Sequence, residues 1–107
     1  MRQYRSFKTY HVERLKDPEE AQAYLDLALA DYGSNHDADE FLLAIRDVAA
    51  AKGGIGKLAQ ETRLNRQNLY KVLAEEGHPQ METIGAILHA LGFRLSVKPL
   101  VKSDMVS

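Results

Sequence analysis

Apolar side chains along this chain recur at spacings of three and four. Ala21, Tyr24, Leu25, Ala28, Leu29 and Tyr32 draw one stripe along a helix, which the pattern predicts from Pro18 to about Tyr32. Its start is written as Asp17-Pro18-Glu19-Glu20: the Asp17 carboxylate can accept free amides, Pro18 sits where no amide is needed, and Glu20 can reach back as a capping-box partner. Gly33 is expected to stop this helix. The punctuation repeats at Asp37 and Glu40, followed by Phe41, Leu42, Ile45, Val48 and Ala49 on the buried face of a second helix that Gly53-Gly54 ends. Two short helical patterns follow, Ile55 to Thr62 and Arg66 to about Glu76, separated only by Arg63, Leu64 and Asn65. So tight a connection makes the two helices cross steeply. Ile84, Ile87, Leu88 and Leu91 mark a further helix from Met81 to Leu91, closed by Gly92. Phe93, Leu95 and Val97 then alternate with Arg94, Ser96 and Lys98, the period of a half-buried strand over 93–98. Tyr4, Phe7, Tyr10 and Val12 show no sustained period, and residues 1–16 read as an extended arm or short edge strand. The expected fold is mainly all-α: about five helices, a short C-terminal β-strand, an extended N-terminal arm, and a frayed tail over 102–107.

At 107 residues the chain has the size of a single domain spanning 1–107. A composition 45% hydrophobic and 27% charged is that of a soluble globule. The absence of cysteine excludes disulfides, thiolate nucleophiles and cysteine-ligated zinc fingers. No apolar run resembles a signal-peptide core or a membrane span, so no membrane partner is expected and the cytoplasm is the expected location. Net charge is only -1, but its distribution is uneven. Residues 1–16 carry a net +4, residues 17–51 a net -8, and residues 52–107 a net +3. Within the last block, Lys52, Lys57, Arg63, Arg66 and Lys71 oppose only Glu61.

Several site chemistries fail on their own residues. Gly53-Gly54-Ile55-Gly56-Lys57 glances at a phosphate loop, yet Ala51 stands where its first glycine belongs and Leu58 replaces the magnesium-binding hydroxyl. Asn35, Asp37 and Asp39 have the alternation of a calcium loop, but Glu40 takes the turn glycine's place and Arg46 that of the closing glutamate. His11, His36, His78 and His89 lack metal-ligand spacing, and no nucleophile-elbow motif is present. The reading is of a non-enzyme with no metal and no cofactor.

The unit over 55–76 carries the functional signal. Leu58 and Ala59 pack inward from the first short helix, Leu64 anchors the turn, and Leu69, Val72 and Leu73 line the inner face of the second. Gln67, Tyr70, Lys71 and Ala74 then point outward, with Arg66 and Asn68 flanking the helix start. Arg, Gln and Asn carry the donors and acceptors that match purine edges in the major groove, and a helix-turn-helix inserts this N-terminal part of its second helix there. Asn65 is the natural N-cap, and the amides around it, with Lys57 and Lys71, suit backbone phosphates. The candidate DNA-binding residues are therefore Lys57, Asn65, Arg66, Gln67, Asn68, Tyr70 and Lys71.

The stretch Ile55 to Leu73, with Gly77-His78-Pro79 and Ala90-Leu91-Gly92-Phe93-Arg94-Leu95-Ser96-Val97, resembles the λ-repressor-like addiction-module antidote family, the HigA-like antitoxins. Tyr24-Leu25 and Phe41-Leu42-Leu43-Ala44-Ile45 extend the likeness upstream, to roughly residues 7–98. The resemblance implies a λ-repressor-like helix-turn-helix bundle that binds a double-stranded DNA operator, pairs with a toxin of the RelE/ParE superfamily, and represses their shared operon. By motif position Arg66, Gln67, Asn68 and Lys71 would line the groove. Arg63 stands at a turn position that usually holds glycine, because the backbone there tends to be left-handed. Ile55 replaces the polar residue that often contacts phosphate.

One such helix reads few base pairs, so a homodimer on a palindromic operator is expected. The strand 93–98 could pair with its mate or with the N-terminal arm. The -8 block suits a toxin with a cationic cleft. The alternative reading is a stand-alone prophage-type repressor without a toxin partner.

Overall fold

The computed structural model describes residues 9–74 and 79–100. Six helical segments occupy them: α1 (residues 9–14), α2 (Pro18–Asn35), α3 (Asp39–Ala51), α4 (Ile55–Thr62), α5 (Arg66–Val72) and α6 (Met81–Ala90). The fold is thus mainly helical, with one helix more than the periodicity announces. That helix corrects the reading of an extended arm: residues 9–14 are helical, while residues 1–8 lie outside the described residues, as does the tail 102–107. Its cause is Leu15, which closes the segment with its amide 3.1 Å from the carbonyls of His11 and Val12 and is almost fully buried. One buried anchor at the end of a single turn leaves too short a pattern for a period to show.

Helix α2 starts as its residues dictate, with Asp17 Oδ1 accepting the Glu19 amide at 3.0 Å and Pro18 in the first turn. Glu20 does not close a capping box. The Asp17 amide already donates to the Arg14 carbonyl at 3.1 Å, and Glu20 instead accepts from the Arg14 guanidinium at 2.8 Å. Nor does Gly33 stop the helix; it runs to Asn35 and ends where His36 turns left-handed at φ 60° and donates its amide to the Tyr32 carbonyl at 2.7 Å. A glycine flanked by helix formers can stay helical, and histidine is among the side chains that tolerate the left-handed region. Asp37 accepts the Asp39 amide at 3.0 Å from one residue outside the α3 cap, which is Ala38.

Both α3 and α6 end in the same way. Gly53 (φ 113°) and Gly92 (φ 96°) take left-handed turns, and the amides after them, Gly54 and Phe93, return to the carbonyls of Ala49 and Leu88 at 2.8 Å. This double use of orphan carbonyls needs a residue without Cβ penalty at the turn. At Gly53 a Cβ would also come within 2.7 Å of the Lys57 side chain.

The core is α3 wrapped by its neighbours. Leu42, Ile45 and Val48 are buried beside Ala21, Leu25 and Ala28 of α2, Leu58 of α4, Leu69 and Leu73 of the α5 region, and Ile84, Ile87 and Leu88 of α6. Ala44 and Ala49, both buried, let α3 approach its neighbours closely. No polar side chain is buried among the described residues. The expected C-terminal strand is corrected: residues 93–98 form no strand, and Tyr32, expected in the buried stripe, is 40% exposed. A strand requires a partner ladder, and none of the described segments offers one.

Candidate functional site

Helices α4 and α5 pack on one another across the turn 63–65. Thr62 Oγ1 donates to the Leu58 carbonyl at 2.8 Å and accepts the Leu64 amide at 3.3 Å, so one hydroxyl finishes α4 and guides the chain out of it. Arg63 adopts the left-handed conformation (φ 60°, ψ 19°) that its turn position demands. Asn65 then caps α5: its Oδ1 accepts the Gln67 amide at 2.7 Å and the Asn68 amide at 3.4 Å. Leu69, 0% exposed, pins the inner side of α5 together with Leu73. The helix ends at Val72, shorter than the expected run to Glu76, with Leu73 as its cap; residues 75–78 lie outside the described residues.

With Leu69 inward, Arg66, Gln67, Asn68, Tyr70 and Lys71 are all exposed, Tyr70 by 53%. The Arg66 guanidinium carbon lies 5.9 Å from the centre of the Tyr70 ring, on the side of α5 that meets α4 at Gly56. A Cβ at Gly56 would stand 4.0 Å from that guanidinium, an ordinary van der Waals contact. Six of the seven candidate residues thus share one short helix and its cap. Lys57 is set apart. It is exposed on α4, packs its stem beside Gly53, and lines a 170 Å³ cleft with Lys52, Glu61 and Leu91. The amides of α5 that Asn65 caps are not free for a phosphate, which shifts any phosphate contact toward the side chains.

A second surface lies on α2 and α3. The Tyr24 hydroxyl donates to Asp47 Oδ2 at 2.8 Å, His11 Nε2 lies 3.5 Å from the same oxygen, and the His11 ring meets Tyr24 edge-on with centroids 4.7 Å apart. Burial, then the bond to Asp47 and the charges of Asp47 and Glu40, hold the Tyr24 phenol well above its ordinary pKa of 10.0. This contact ties α2 to α3 across their packed sides. One turn further along the same flank, Leu27 on α2 (65% exposed) and Leu43 on α3 stand open among exposed Asp31 and Glu40. Sequence patterning passed over both leucines because each falls outside its helix's apolar stripe. Among the described residues no cluster of three His, Asp or Glu side chains could hold a metal, and no helix is long and apolar enough to cross a membrane.

Short exposed polar helix, segregated acidic flank and apolar core together define a small helical protein with two chemically distinct surfaces. Over residues 4–99 the chain matches the model of the family described as "Probable addiction module antidote protein". An "Uncharacterized protein" of Haemophilus influenzae is similar to it, 29% identical over 86 residues that make up 80% of this chain and 84% of that one. No solved structure matches. The chain belongs to the probable addiction module antidote family, the antitoxin side of toxin–antitoxin pairs.

Proposed function

We propose that this antitoxin is also a DNA-binding repressor, with α4, the turn and α5 acting as a helix-turn-helix. The observation that carries this reading is the outward face of α5, where Arg66, Gln67, Asn68, Tyr70 and Lys71 are exposed together while Leu69 is fully buried. Arg66 and Gln67 sit in the first turn, where a recognition helix meets base edges, and bidentate donors of this kind discriminate purines. Lys71, just over one turn further on, suits a phosphate, and Lys57 a flanking one. Two such helices about 34 Å apart read a palindrome. The chain measures 41 × 34 × 25 Å and its described residues hold one such unit, so the second comes from a second copy.

The toxin, proposed to be of the RelE/ParE superfamily, meets the acidic flank of α2 and α3. Exposed leucines inside a rim of carboxylates supply desolvated contact and steering toward a cationic surface at once. The DNA and toxin surfaces then lie on different helices, which allows a toxin-bound antitoxin to sit on its operator.

The test is a gel-shift titration at fixed salt with operator fragments from upstream of the gene. Arg66→Ala and Gln67→Ala should each weaken specific binding by about 1–3 kcal/mol and relax base preference, whereas Lys71→Ala should weaken binding evenly across sequences. Unchanged operator affinity in the Arg66→Ala, Gln67→Ala double variant sinks the groove assignment. Co-purification with the product of the neighbouring reading frame, with rescue of growth, separates the antitoxin from a stand-alone repressor.

A further inference from the structure

After α6 the chain runs out as an extended segment. The Phe93 amide returns to Leu88, and beyond it, among the described residues, the backbone of 94–100 makes no hydrogen bond. A row of unpaired donors and acceptors is a template for another strand. The side chains on this segment alternate as a half-buried strand requires, but Leu95 is 38% exposed and Val97 is 97% exposed. Alongside runs an apolar groove of about 810 Å³, lined by Leu29 and Tyr32 of α2, Phe41 of α3, and Met81 and Ile84 of α6, with Leu95 and Val97 at its rim. Strand, groove and exposed apolar side chains therefore form one unsatisfied unit.

Residues 9–14 do not supply the missing strand, because they are helical and sit elsewhere. His11 packs on Tyr24, whereas Lys98 pairs with Asp26 at 3.4 Å. Two residues apart on a helix means about 160° around its axis, so α1 and the C-terminal segment flank opposite sides of α2. A second copy brings the identical segment, and identical segments can pair antiparallel about a two-fold axis with each contact made twice.

Register follows from charge and parity. Centring the axis on Ser96 would set Arg94 directly against Lys98 of the other copy, like charges across a narrow gap. Centring it on Leu95 sets Leu95 against Leu95, Phe93 against Val97 and Arg94 against Ser96, which keeps apolar with apolar and opposes no like charges. A two-stranded ribbon alone is marginal in water and needs an apolar face to rest on, which the groove provides. We infer that residues 93–98 of two copies pair antiparallel about Leu95, and that the apolar face of this ribbon closes the groove between α2, α3 and α6. This interface rests on the homodimer proposed above and names its contact.

The test uses the full chain in sedimentation equilibrium. The wild type should sediment at twice the 12.0 kDa chain mass. Val97→Asp places a carboxylate on a side chain that touches almost nothing in the single copy, so folding should be intact by circular dichroism while the dimer Kd rises by about tenfold or more. Because the chain has no cysteine, a single Leu95→Cys reports the register: mild oxidation should join two copies through it, and Val97→Cys should join them far less. A monomeric wild type, or a dimer indifferent to Val97→Asp, overturns the inference. A monomer whose toxin co-purification is lost in Val97→Asp also overturns it, and assigns the strand to the toxin's sheet instead. Failure of the DNA reading looks different: the dimer and the Leu95→Cys cross-link would persist while Arg66→Ala leaves operator binding unchanged.

Discussion

Arg63 shows how a single backbone angle can carry a prediction. A non-glycine residue in the left-handed region is strained by about 1–2 kcal/mol, so Arg63→Gly should unfold at higher temperature than Arg63→Ala, by up to about 1 kcal/mol of stability. Two residues on, Asn65→Ala removes the acceptor for two amides and should lower stability by about 1 kcal/mol in denaturant titrations. Tyr24 adds a dependence on pH. Its folded pKa is raised above the ordinary value of 10.0, so its contribution is complete below that pH and is lost as pH rises beyond it, where the unfolded chain ionises first. Unfolding midpoints should fall more steeply above pH 10.0 for the wild type than for Tyr24→Phe. The left-handed turn at Arg63 was implied by the family resemblance, whereas the Asn65 cap was legible in the sequence because it depends on residues within one turn. Glu20 was not, since its capping role disappears only when the Arg14 carbonyl takes the Asp17 amide.

Helices α2 to α6 were legible at the level of elements because a 3.6-residue apolar period acts locally, and at α2 and α5 a capping residue agrees with it. Their ends were less so: α2 passes through Gly33, and α5 stops at Val72. The two extended readings failed for a common reason. Extended chain is specified by what it pairs with, and neither residues 9–14 nor residues 93–98 find a ladder among the described residues. Six candidate residues fall on α5 and its cap, where one inward leucine leaves most of them exposed, whereas the position of Lys57 beside Gly53 depends on how α3 delivers the chain to α4. The division of labour along α5 is itself testable. Leu69→Ala should destabilise the fold by about 2–5 kcal/mol, while Lys71→Ala should change thermal stability by less than about 0.5 kcal/mol and still weaken DNA binding.

Across the whole molecule, charge is sorted along the chain, with the acidic block on α2 and α3 and the basic one on α4 and α5. Association with the toxin should therefore slow as salt is added, since the Debye length falls to about 10 Å at 0.1 M. Reversing Asp31 and Glu40 to lysine should slow it further at low salt in stopped-flow mixing and leave DNA affinity within about twofold. The described chain also begins and ends on opposite sides of α2, at His11 against Tyr24 and at Lys98 against Asp26. A label attached at residue 11 therefore departs from the flank that the ribbon does not use. The same label attached at residue 98 leaves beside the ribbon and crowds the mate, so a preparation labelled there will understate self-association, and the two labelled positions should be weighed side by side.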